Sequence, residues 1–218
     1  MYNIDLKEIE RRAFRSTFQD GIWDIYLGLL LLLFGIALSL LEFGIVIEWI
    51  GVIVITLCLL CMGFFIAGKK YITVPRIGRV TFSAARRSKT KNMTLLLTIS
   101  FIIGVVLLAI RLVGNEDLFG WIAPVPFPAL LFSAVCLVTF SSGAFLLDNI
   151  RFHLYGLFYA FPFPIVVILK SHTDMIGLWL LAYGIPSVLM LIVGVVLFYR
   201  FLRDYPPLTK EVLHDSVH

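Results

Sequence analysis

The chain has 218 residues, 60% of them hydrophobic and 15% charged, with a formal net charge of +4 and a mean hydropathy of +0.98. Soluble domains run at roughly 45 to 50% apolar and about 25% charged. One soluble core of this length has no room for such an apolar excess. That excludes a soluble enzyme, a disordered tail and a secreted disulfide scaffold, and at about 20 residues per crossing the excess suffices for about six membrane helices.

In chain order, the first 20 residues place Leu6, Ile9, Ala13, Phe14, Thr17 and Phe18 near helical spacing, with Lys7, Arg11, Arg12 and Arg15 elsewhere around the wheel. Asp5 and Glu8 stand at capping distance. The pattern predicts an N-terminal amphipathic helix over 1–20, lying in the membrane interface or docked on the protein itself. This stretch is charged and no small-residue cleavage site follows the first apolar run, so the N-terminus is expected to be retained.

Apolar runs bounded by charge then predict transmembrane helices over 25–41, 44–67, 94–113, 127–147, 153–169 and 176–199. They form three hairpins, 25–67, 94–147 and 153–199, within one membrane domain covering 1–218. The runs are continuous rather than alternating, which argues against a barrel. The fold class expected is therefore all-α, a six-helix bundle.

The connection 68–93 is the longest piece outside the spans. Tyr71-Ile72-Thr73-Val74 and Arg79-Val80-Thr81-Phe82 flank Pro75-Arg76-Ile77-Gly78, which predicts a short β-hairpin. A two-stranded ribbon is marginal alone and would lean on the membrane, the N-terminal helix or a partner. The run Ala84-Ala85-Arg86-Arg87-Ser88-Lys89-Thr90-Lys91 would attract anionic headgroups at about 1 kcal/mol per basic residue. Topology accounts for these charges, and no nucleic-acid partner is expected. The remainder, 200–218, reads as a tail.

Positive charge resists translocation, so its distribution sets orientation. Sixteen of the 18 Lys and Arg residues fall on one side of a six-helix topology, with only Arg111 and Lys170 on the other. Counting the acidic residues too, the side holding both termini carries +7 and the opposite side −3. Both ends are thus expected in the cytoplasm. Trp23, Trp49, Trp121 and Trp179 all fall at predicted interfaces, where indole rings favour the headgroup level. Cys58, Cys61 and Cys136 lie inside spans and read as packing residues.

Faint similarity links the first and last hairpins: Asp20-x-Ile22 with Gly28-Leu29, and Asp148-x-Ile150 with Gly156-Leu157, at an offset of 128. A parallel repeat about the membrane normal would give this pattern.

The inner rim gathers the most suggestive polar residues: Asp20 and Asp24, four apart and so on one helical face, with Arg79, Asp148 and Arg151. Such a group could hold a phosphorylated headgroup; equally, the aspartates could cap the first span and pair with loop arginines. The segment Asp20-Gly21-Ile22-Trp23-Asp24 lacks the Ala-Arg pair and the later aspartate pair of CDP-alcohol phosphotransferases. Candidate helix breaks stand at Pro162, Pro164, Gly184 and Pro186, and interrupted helices point to substrate sites in transporters. The spans carry almost no full charges, which counts against a proton relay. No nucleophile, dinucleotide, Walker or metal motif is present, so neither catalytic residues nor a cofactor or metal is expected.

Asp20-Gly21-x-x-Asp24-Ile25-x-x-Gly28 together with Tyr71-Ile72-x-x-Pro75-Arg76-x-Gly78-x-Val80 resembles a group of uncharacterised prokaryotic integral membrane proteins. The resemblance covers about the first 80 residues and implies a bacterial or archaeal plasma membrane, with no activity attached. The functional expectation is a non-enzymatic accessory or scaffold subunit that touches anionic lipid and packs with its own copies or a membrane partner. A small-solute carrier or channel, and a lipid-headgroup enzyme, are the alternatives.

Overall fold

The computed structural model describes residues 20–77, 127–147, 149–173 and 175–206, with Ser88, Lys89, Lys91, Asn92, Leu95, Leu96 and Ile99 between them. The expected N-terminal helix, nearly all of the third span and the C-terminal tail lie outside these residues. The described residues are helical with no strand, and five helices among them are long and apolar enough to cross a membrane. The chain is accordingly a multi-pass helical membrane protein by length and composition.

The first span forms α1, Ile22–Glu42. Gly21 enters it at φ 76° and the Asp20 carboxylate accepts the Ile22 N–H at 3.2 Å. The exit is a Schellman turn: Gly44 takes φ 76°, its N–H reaches the Leu41 carbonyl at 3.1 Å, and the Ile45 N–H reaches Leu40 at 3.2 Å, which satisfies the orphan carbonyls of the last turn.

The second span, α2 (Ile47–Gly68), does not stop at the predicted connection. It runs on through a π-helical turn, Lys69–Thr73, and an α-helical turn, Val74–Ile77. This corrects the β-hairpin at its first strand: Tyr71-Ile72-Thr73-Val74 is helical, while Arg79-Val80-Thr81-Phe82 lies outside the described residues. The β-branched run carries only a weak, context-dependent strand preference. It is outweighed by a helix that arrives already formed and by contacts that need Lys69 and Thr73 on one face.

Helix α3 is Phe127–Leu147, as the hydropathy predicts. The fifth predicted span is two helices, α4 (Arg151–Ala160) and α5 (Pro162–Lys170), joined at Phe161. Pro164 has no N–H to offer the Ala160 carbonyl. That carbonyl instead accepts the Ser133 hydroxyl from α3 at 2.6 Å. The last span, α6 (Leu178–Asp204), contains Pro186 and continues past it.

Contacts fix the helix directions: α1, α4 and α5 run away from one end of the bundle, and α2, α3 and α6 run toward it. The start of α1 meets the ends of α2 and α6 and the start of α4; we call this the Asp20 end. At the opposite Glu42 end, the Glu42 carboxylate accepts Lys170 Nζ at 2.6 Å and the Gly177 N–H at 3.2 Å. It thereby ties α1 to α5 and sits at the positive N-terminus of α6.

Helices α1 and α6 form the tightest antiparallel pair. Gly21, Gly28 and Gly35 recur every seven residues on α1. On α6 the buried positions are Tyr183, Ser187, Met190, Gly194 and Phe201. This is the seven-residue seam of left-handed helix packing. Missing Cβ atoms let the backbones touch: a Cβ on Gly194 would lie 2.8 Å from Ile25 N, and one on Gly21 would lie 2.3 Å from the Gly194 carbonyl oxygen. Around the seam the core includes Leu27, Leu31, Leu147, Phe152 and Tyr155. By contrast α2 is peripheral, with Val52, Ile55, Leu59, Leu60 and Phe64 all largely exposed, as suits a helix facing lipid.

Candidate functional site

Three residue pairs, each spaced four apart, meet at the Asp20 end. Asp20 and Asp24 flank the entry to α1, Lys69 and Thr73 occupy one face of the π-helical turn, and Arg151 and Tyr155 occupy the first turns of α4. Both carboxylates are buried, Asp20 at 0% and Asp24 at 1% exposure. In an apolar setting a carboxylate persists only when its charge and lone pairs are met.

Each is met separately. Lys69 Nζ and Thr73 Oγ1 both donate to Asp20 Oδ2 at 2.6 Å, while Oδ1 takes the Ile22 N–H. Arg151 Nη1 donates to both Asp24 oxygens at 3.0 Å, and the Tyr155 hydroxyl donates to Oδ1. Arg151 is steadied in turn by Asn149 Oδ1, 3.4 Å from its Nε. The result is two neutralised clamps side by side: Asp20 fastens α1 to the end of α2, and Asp24 fastens α1 to α4.

A third contact completes the rim. Arg76, just beyond the π-helical turn, donates from Nη1 to the carbonyls of Leu202 and Tyr205 at 3.0 and 2.7 Å. A cation on the last carbonyls of α6 complements the negative end of that helix. Arg203 and Asp204, also at this rim, pair with each other at 3.0 Å on the surface.

Of the polar cluster expected from sequence, Asp20, Asp24 and Arg151 come together; Arg79 and Asp148 lie outside the described residues. Lys69, Thr73 and Tyr155 complete the site without having been singled out. Lys69 reads as a loop charge, Thr73 as a strand residue and Tyr155 as part of an apolar span. The shared four-residue spacing was the available signal. Chemically, donors already occupy both carboxylates. Among the described residues no three His, Cys, Asp or Glu side chains group as metal ligands would.

Two of the four candidate helix breaks, Pro162 and Pro186, line one cavity. Leu157, Phe158, Phe161, Pro162 and Ile165 from α4 and α5, with Ala182 and Pro186 from α6, line a cavity of about 340 Å³. Every described lining side chain is apolar. Pro164 is buried elsewhere on α5, and Gly184 faces open space.

Among the described residues one buried group goes unmatched. The Tyr183 side chain is fully buried between Phe34, Gly35 and Trp179, and its hydroxyl has no hydrogen-bond partner among them.

Comparison with protein-family models, with curated proteins and with solved structures finds no match to this chain.

Proposed function

We propose that this protein is a non-enzymatic membrane component, an accessory or scaffold subunit whose inner rim touches anionic lipid and whose lipid-facing helices pack with further copies or a membrane partner. We place it in a prokaryotic plasma membrane with both termini cytoplasmic, a sixth span within 94–113 and an interfacial helix over 1–20. The observation that carries the reading is the state of the rim carboxylates. Asp20 and Asp24 are buried and each is taken up by a cation and a hydroxyl, which is how helix clamps are built. A headgroup enzyme needs carboxylates free to hold a metal or a proton. The basic run 84–91 supplies the lipid contact through headgroup attraction.

The carrier alternative draws on the proline breaks, which do frame a cavity. Among the described residues its lining offers no polar side chain to replace the hydration of a polar solute, so it favours an apolar occupant instead. The test is reconstitution of the full chain in liposomes containing phosphatidylglycerol. The scaffold reading expects no solute flux and no lipid turnover. It also expects copurified phosphatidylglycerol to fall when Arg86, Arg87, Lys89 and Lys91 are changed to Gln. Specific flux or headgroup turnover would overturn it.

A further inference from the structure

The cavity between the α4–α5 break and α6 is placed and lined in a way the scaffold reading does not use. Pro162 lies eight residues before Lys170, and Pro186 eight residues after Leu178. At 1.5 Å per residue both prolines sit about 12 Å from the helix ends at the Glu42 side. That is well within a hydrocarbon core about 30 Å thick. Three wall residues, Leu157, Phe161 and Ile165, are between 40% and 49% exposed. The cavity therefore opens sideways toward lipid rather than toward water.

Its prolines also alter the backbone. A helical carbonyl points along the axis toward the N–H four residues on, and proline has none. Pro162 thus leaves the Phe158 carbonyl, and Pro186 the Ala182 carbonyl, without its regular donor. Both Phe158 and Ala182 line the cavity. Because α4–α5 and α6 run in opposite directions, the two carbonyls point toward the shared proline level from opposite sides. The comparable carbonyl of Ala160, freed by Pro164, is served by Ser133. Among the described residues, no side chain donates to Phe158 or Ala182 in this way.

We propose that this cavity binds a neutral, lipid-soluble alcohol, its chain against the apolar wall and its hydroxyl donating to a carbonyl freed by proline. Depth selects the class. Charged headgroups do not reach the proline level inside the hydrocarbon, and a backbone acceptor left there without a partner costs free energy. A neutral alcohol brings a donor to that level, whereas an ordinary acyl tail does not.

The probe is a hexadecanol with a mid-chain photoreactive diazirine, compared with its methyl ether, on the full chain in phosphatidylcholine nanodiscs. The alcohol should label peptides spanning 157–165 and 182–186. The ether should label them about threefold to tenfold less, the worth of one hydrogen bond. Ala182→Leu, which fills the cavity, should abolish the labelling. Pro186→Ala, which restores the missing N–H and favours the helix, should weaken alcohol labelling to the level of the ether and serves if Ala182→Leu fails to fold. Equal labelling by the ether, labelling undiminished in a folded variant, or label spread evenly over the exposed face of α2 would each overturn the proposal.

Discussion

The two rim carboxylates differ in how their removal should be felt. Asp24 is held by Arg151 at both oxygens, so Asp24→Asn removes the carboxylate from a contact at the edge of the apolar core. Breaking a buried pair from one side costs about 3 to 5 kcal/mol, read as a fall in thermal unfolding midpoint in detergent. Asp24→Asn combined with Arg151→Gln should recover part of that loss; a double variant no more stable than the worse single one would show that the pair is not coupled. Thr73→Ala removes one of three donors from Asp20 and should cost about 1.5 to 3 kcal/mol, the worth of a hydrogen bond to a charged group. Tyr183→Phe should move the other way. Its hydroxyl is buried without a partner among the described residues, a state that costs about 1 to 3 kcal/mol, so deleting it should raise the unfolding midpoint. A lowered midpoint would mean the hydroxyl is hydrogen-bonded in the membrane. Half of this chemistry was legible in the sequence: Asp20, Asp24 and Arg151 stand out because charges beside apolar runs are rare. Thr73 and Tyr155 did not, because neutral hydroxyls look ordinary until the carboxylate opposite them is placed.

Among the elements, the α1–α6 seam gives the clearest contrast between glycines that are required and glycines that are not. Gly194→Ala sets a Cβ against the backbone of Ile25 and the Cβ of Asp24, where neither neighbour can yield without separating the helices. Overpacking of this kind costs about 1 to 3 kcal/mol. Gly184→Ala, ten residues earlier on the same helix, meets nothing within 4 Å and should be neutral or stabilising by up to about 1 kcal/mol through helix propensity. Unfolding midpoints of the two variants, measured side by side, check the pair; equal destabilisation would remove the seam as the reason for Gly194. Five of the six predicted spans meet apolar helices, with α3 falling on its predicted boundaries, while nearly all of 94–113 lies outside the described residues. What failed was the strand at 71–74. A four-residue window of Tyr, Ile, Thr and Val sees its own β-branched preference. It does not see that the preceding helix arrives with Lys69 and Thr73 one turn apart and that Asp20 is waiting for both. The split at Phe161 was signalled by its prolines, yet the means of tolerating it, a serine on another helix, is a tertiary fact.

For the whole molecule, the directions of the described helices follow from contacts rather than from charge counting. Asp20–Lys69, Asp24–Arg151 and Arg76 with the Leu202 carbonyl gather four helix ends at one side, and Glu42 with Lys170 and the Gly177 N–H gathers three at the other. The charge distribution supplies the expected orientation, because a connection carrying Arg86, Arg87, Lys89 and Lys91 would resist translocation. These two sources are independent, so they can be tested against one another. With Cys58, Cys61 and Cys136 replaced by Ala, a single cysteine at Thr173, beyond the Glu42–Lys170 contact, should react with a membrane-impermeant maleimide added to intact cells. A cysteine at Asp204 or at Ser88 should react only after permeabilisation. Reaction of Thr173 and Asp204 from the same side would contradict the helix directions themselves. Reaction of Asp204 and Ser88 alone in intact cells would leave the fold standing and invert it in the bilayer. Exchanging the four basic residues at 86–91 for Glu should then shift the fraction of molecules that insert upright, because orientation would rest on that connection while packing would rest on the buried pairs at the two rims.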